Sequence, residues 1–174
     1  MTAITTEKPR LLTSKPEHNQ RLTQAIYDAL WRYDPIRSSD SPIQVATANG
    51  EVTLTGIVRS RTMRAMAETL TRRVPGVTNV ENQLLTDTDI ENNVALELAA
   101  NSRLRRAGDI RVKSILGTVY LSGDVVTESV EEAEDLKGLA ESIAEDMPGT
   151  ISTINKIITR QREQDTSEDL REKK

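Results

Sequence analysis

The sequence predicts an α+β protein of two tandem αββαβ modules, each a three-stranded mixed sheet with two helices packed on one face. Three observations predict it. Asn49-Gly50-Glu51-Val52-Thr53-Leu54-Thr55-Gly56 returns as Leu116-Gly117-Thr118-Val119-Tyr120-Leu121-Ser122-Gly123, 67 positions on (Gly50 to Gly117). Pro75-Gly76 returns as Pro148-Gly149, 73 positions on, so the second copy is six residues longer between hairpin and Pro-Gly. In both copies the apolar period switches between helical and extended spacing in the same order.

Copy one opens on Leu22, Ile26, Ala29, Leu30 and Tyr33 at helical spacing, and Asp34-Pro35 is expected to stop that helix and begin a loop running to Pro42. Ile43 and Val45 alternate with polar residues as a strand does. Asn49-Gly50 is a strong two-residue hairpin signal, since both turn positions need a left-handed backbone. Val52 and Leu54 carry the return strand, and Met63, Met66, Ala67, Leu70 and Val74 the second helix. Val77, Val80 and Leu84 belong to the last strand and its approach. In copy two, Asp87 and Asp89 are N-cap candidates before Ile90, Val94 and Leu98. Ile110 and Val112 make one strand, Val119 and Leu121 the next. Val130, Ala133, Leu136, Ala140, Ile143 and Met147 mark a longer helix, and Ile151, Ile154 and Ile157 close the module. The resulting division is a tail over 1–16, modules over 17–86 and 87–160, and a charged tail over 161–174, both tails expected to be mobile. Modules of this size bury surface only marginally alone, so they are expected to dock on each other or on another chain.

Charge is uneven. The chain of 174 residues carries a net −4. Residues 17–86 hold eight arginines against seven carboxylates, whereas 87–160 hold eight basic against fourteen acidic residues. Such asymmetry suggests different partners for the two halves, or each other. With no cysteine and one histidine, disulfides, a lipid-modified cysteine, a histidine-based triad and a zinc cluster are all excluded. No serine stands in a nucleophile-elbow context, so no enzyme and no cofactor is expected. An acidic chain with 2% aromatics argues against nucleic acid. No stretch is apolar enough for a signal or a membrane span, which predicts a cytoplasmic protein, peripheral to the membrane where it meets one.

The unit Ile43, Val45, Gly50, Val52, Leu54, Thr55, Gly56, Val58, followed after a helix by Gly76, Val77, Val80, Asn82 and Leu84, resembles the BON domain (bacterial OsmY and nodulation). Ile110, Val112, Gly117, Val119, Leu121, Ser122, Gly123, Val125, Gly149, Asn155 and Ile157 repeat it, so the resemblance covers roughly residues 18–160. It implies paired αββαβ modules that bind phospholipid surfaces in osmotic or envelope stress. It also implies two other roles found among relatives, potassium binding and service as oligomerising modules. The glycines Gly50, Gly56, Gly76, Gly117, Gly123 and Gly149 are structural, placed for turns and close backbone approach.

Lipid or partner candidates are basic and apolar. Arg59, Arg61, Arg64, Arg72 and Arg73 lie on and after the first hairpin. Arg103, Arg105 and Arg106, followed by Arg111 and Lys113, form a basic run over a loop and strand. Basic clusters hold anionic headgroups, although Arg64–Glu68 and Glu68–Arg72 at i,i+4 would equally steady a helix. Trp31, Ile115 and Leu116 suit a membrane interface or docking between repeats. Glu128, Glu131, Glu132, Glu134 and Asp135 form an acidic face that could meet the arginine face of copy one, within a chain or head to tail. Three functions follow in order: an anionic phospholipid-surface binder, a protein-interaction or oligomerisation module, and a small-ligand or potassium sensor.

Overall fold

The structure, a computed structural model, describes residues 15–162; of the tails expected over 1–16 and 161–174, residues 1–14 and 163–174 lie outside the described residues, whereas Lys15 and Pro16 are helical and Gln161 ends a strand. The chain runs α1 (Lys15–Trp31), α2 (Asp34–Ser38), β1 (Ile43–Ala48), β2 (Glu51–Val58), α3 (Arg61–Arg72), β3 (Asn79–Asn82) and β4 (Leu85–Thr86). It then runs α4 (Asp87–Ala100), α5 (Ser102–Ala107), β5 (Gly108–Ile115), β6 (Thr118–Thr127), α6 (Val130–Glu145) and β7 (Ser152–Gln161).

Each module is one mixed sheet with its helices on one face. β2 pairs antiparallel with β1 and parallel with β3 and β4; β6 pairs antiparallel with β5 and parallel with β7. The parallel pairing needs the crossover helix α3 or α6, which covers one face of the sheet. The hairpin tips are two-residue turns with left-handed residues, Asn49 and Gly50 (φ 54 and 88) and Leu116 and Gly117 (φ 48 and 81). The Pro42 carbonyl crosses close to Gly56, where a Cβ would stand 1.9 Å from the oxygen, and Asp109 does the same to Gly123 at 2.0 Å.

Alternation sorts the side chains. Val52, Leu54 and Val58 point into the first core with Leu22, Ile26 and Leu30 of α1 and Met63 and Ala67 of α3. Val119, Leu121 and Val125 point into the second with Ile90, Val94 and Leu98 of α4 and Leu136 and Ala140 of α6. An asparagine fastens each last strand to the crossover helix. Asn82 Nδ2 donates to the Arg64 carbonyl and Glu68 Oε2, and its Oδ1 accepts from Leu84 N–H. Asn155 repeats this with the Lys137 carbonyl, Glu141 Oε2 and Ile157 N–H.

Four local expectations are corrected. Asp34-Pro35 does not open a loop: proline early in a helix lacks only an N–H that would be orphaned anyway, and α2 buries Ile36. Residues 102–107 are not a loop either, because Asn101 caps α5 by accepting from Arg103 and Leu104 N–H. Thr86, not Asp87 or Asp89, is the N-cap of α4; Asp89 sits three residues on and closes the capping box. Of the isoleucines expected to close the second module, only Ile157 is buried. Ile154 is exposed because a strand turns residues three apart to opposite faces, and Ile151 is exposed just before the strand begins at Ser152.

The modules dock without a linker. Ile57 and Leu85, paired on the outer face of the first sheet, join the core of the second module. Ile57 is 4% exposed although it faces away from its own helices. It meets the second hairpin tip at Gly117, and Leu85 meets the Pro-Gly turn at Gly149.

Candidate functional site

In each module one sheet face lies against helices and the other is open, and the two open faces differ. On the first sheet, Gln44, Ala46 and Ala48 of β1, Glu51, Thr53 and Thr55 of β2, and Asn79 and Glu81 of β3 make a small polar surface. On the second, register places Lys113 beside Tyr120 and Ile154, Arg111 beside Ser122 and Lys156, and Asp109 beside Asp124 and Ile158. Ile115 and Arg160 extend the same face at its ends. Ile158 is 54% exposed and Ile154 39%, which for isoleucines on a ten-residue strand is a standing cost in water.

The charges here are partly tethered. Lys113 Nζ lies 2.8 Å from Glu91, whose hydrogen bond raises the ammonium above its ordinary pKa and keeps it charged. Arg160 lies 3.0 Å from Asp124. Lys156 Nζ stands 6.0 Å from the Tyr120 ring centre. Arg111 and Lys156 have no ion pair among the described residues. Carboxylates gather elsewhere: α4 and α6 carry ten against the single Lys137. The second module is thus acidic on its two long helices and basic and apolar on its open sheet.

The structure scatters the arginines singled out in the sequence. Arg64 does not pair with Glu68; it donates to Asp89 at 2.9 Å and to the Leu84 carbonyl at 3.4 Å, bracing the module junction. Arg61 stands 3.9 Å from the same carboxylate. The arginine face of copy one therefore meets the start of α4, not the acidic face of α6. Burial works to raise the Asp89 pKa, but hydrogen bonds from Thr86 and the charges of Arg64 and Arg61 outweigh it and hold the carboxyl below its ordinary range. Arg72 is bound to Glu68, lowering that carboxyl too, as does Asn82. Arg59 and Arg73 are exposed.

Arg103, Arg105 and Arg106 are exposed on α5, where Arg105 donates to the Ala99 carbonyl and Arg106 to that of Ser102. Arg103, Arg106 and Arg162 line a cavity of about 220 Å³ with Glu128 and Glu132, so cations and carboxylates there offset one another. Trp31 is 49% exposed, Ile115 lies on the open second sheet, and Leu116 is half-buried against the second core. Sequence reasoning thus found Arg111, Lys113 and Ile115 of this face and missed Tyr120, Lys156, Ile158 and Arg160. The signal was present in β7, where Ile154, Lys156, Ile158 and Arg160 share one parity and Thr153, Asn155, Ile157 and Thr159 the other.

Among the described residues no group of three or more His, Cys, Asp or Glu could hold a metal ion. No described helix is long and apolar enough to cross a membrane. The open face offers charge and apolar area, which is binding chemistry.

Comparison with known proteins agrees with the repeat. The BON domain family matches residues 18–85 and again 86–161. The C-terminal domain of CdsD, a structural protein of the Type III secretion system of Chlamydia trachomatis, is similar in fold. Its TM-score is 0.56 at 18% identity, over 79% of this chain and 64% of that one. A second structure of CdsD gives 0.52 at 15% identity, over 80% and 65%. This chain thus spans just under two thirds of the length of those structures. No curated relative matches.

Proposed function

Since the chain belongs to the BON domain family, we propose that it is a non-catalytic binding protein that lies on anionic phospholipid surfaces, with the open face of the second sheet toward the lipid. The carrying observation is the two-sidedness of that module. Arg111, Lys113, Lys156 and Arg160 share one face with Ile154, Ile158 and Tyr120, and the carboxylates of α4 and α6 lie on other elements. An anionic surface orients such a module: it attracts the basic face and repels the acidic helices.

The magnitudes allow reversible attachment. Each basic side chain near an anionic leaflet contributes about 1 kcal/mol within a Debye length. Asp109 and Asp124 offset part of that, while Ile154 and Ile158 add apolar area to be covered. The exposed arginines of α5 supply a second basic element along the same module. In this reading the first module is a buttress, since its own open face is polar and one end of it is already occupied by the second module.

Co-flotation with neutral and anionic vesicles at low and high salt tests the reading. Binding that requires anionic lipid and fades with salt supports it; full recovery in the soluble fraction under every condition overturns it.

A further inference from the structure

The two modules differ at one matched position in a way that makes one complementary to the other. Leu22, Ile26 and Leu30 of α1 are buried at the spacing of Ile90, Val94 and Leu98 of α4, so α1 and α4 superpose with a shift of 68 residues (22 to 90). On that register Asp28 and Ala29 of the first module correspond to Leu96 and Glu97 of the second.

In the first module this position borders a groove of about 410 Å³ between α1 and the end of α3. Ala25 and Ala29, one helical turn apart, leave it open, and Leu70 and Val74 form its other wall. Arg32 and Arg73 stand at its rim; neither has an ion pair among the described residues. The rim carboxylate, Asp28, accepts from Gln24.

In the second module the same position is a projection. Leu96 is 72% exposed, the most exposed of the large apolar side chains described, and its neighbour Glu97 is also exposed. Leu96, set beside Asn92, Asn93 and Glu97 on an outward helix face, keeps most of its side chain in water.

We infer that Leu96 of one copy seats in the α1–α3 groove of a second copy, with Glu97 facing the rim arginines. The basic-leaning first module and the strongly acidic second module set the same preference at longer range. The proposed assembly is the closed one, a dimer in which a two-fold axis pairs each groove with the knob of the other copy. The contact uses helix faces and leaves the open face of the second sheet free, so it stands or falls independently of lipid binding.

Sedimentation velocity of the full chain over a concentration series, at low and high salt, tests it. The expected result is a monomer–dimer equilibrium weakened by salt. L96E, at an exposed site that tolerates the change, raises the dimer dissociation constant by roughly a hundredfold or more, since both contacts are lost together. A29W, which fills the groove, does the same, and mixing L96E with A29W restores a dimer through the one intact knob and groove. A wild-type chain that stays monomeric at every concentration, or a dimer indifferent to L96E, overturns the inference.

Discussion

A Cβ placed on Gly117 would stand 2.6 Å from Cδ1 of Ile57, a residue of the other module. The hairpin glycine of the second copy thus serves two purposes. Its left-handed backbone makes the turn, and its missing side chain lets the first module approach. At the matching glycine of the first copy, Gly50, the atoms nearest a Cβ belong to its own module, the Gly76 carbonyl and Thr78.

Gly117→Ala therefore combines backbone strain at φ 81 with a clash across the junction, and is expected to cost about 2 kcal/mol or more. Gly138 lies inside α6 with nothing within 4 Å of a Cβ, so Gly138→Ala should stabilise by about 0.5–1 kcal/mol. Thermal unfolding of the two variants should move in opposite directions. A neutral Gly117→Ala would mean that the junction is looser than described.

Asn82 and Asn155 hold equivalent networks, so Asn82→Ala and Asn155→Ala should cost similar amounts. Each removes two donated bonds and leaves a strand N–H, of Leu84 or Ile157, without its acceptor. The expected loss is about 1–3 kcal/mol by denaturant titration. A large effect at one position and none at the other would contradict the equivalence.

Asp89 makes the junction acid-sensitive. Its folded pKa lies below the ordinary 3.8, so the stability it contributes is present above that value and is lost as pH falls through the lower folded value. Asp89→Asn should be less stable than the parent at neutral pH, and the difference should shrink as acid is added below pH 3.8. Parallel curves for the two proteins down through that window would remove Asp89 as the sensitive group.

Much of the fold was legible in the sequence because glycines and alternation are local signals. Asn49-Gly50, Pro75-Gly76 and their repeats place turns that few other residues can make. The end of α1 was not legible, since Asp34-Pro35 reads as a stop whether a loop or a new helix follows. The candidate face was half legible. Arg111, Lys113 and Ile115 stand in an apparent basic run, whereas Ile154 was hidden by reading Ile151, Ile154 and Ile157, three apart, as one set, and Ile158 lies outside that spacing. Which arginines are tethered is a tertiary fact: Arg64 chooses Asp89 over the local Glu68 because the module junction brings that carboxylate closer.

Charge reversal separates the candidate face from the rest of the surface. Arg111→Glu with Lys156→Glu should weaken binding to anionic vesicles by about thirtyfold from the loss of two contributions of about 1 kcal/mol, and further from the repulsion that replaces them. Glu134→Lys on α6, which gives up only a hydrogen bond from Thr159, should not weaken it. Equal losses from both changes would point to net charge and not to a face.

The most direct measurement places an environment-sensitive fluorophore at Ile158→Cys, and separately at Gly138→Cys, in a chain that has no cysteine of its own. Titration with anionic vesicles should shift the probe at 158 to the blue and brighten it, and leave the probe at 138 unchanged. A response at 138, or none at 158 while the protein is vesicle-bound, would contradict an orientation with the second sheet against the lipid.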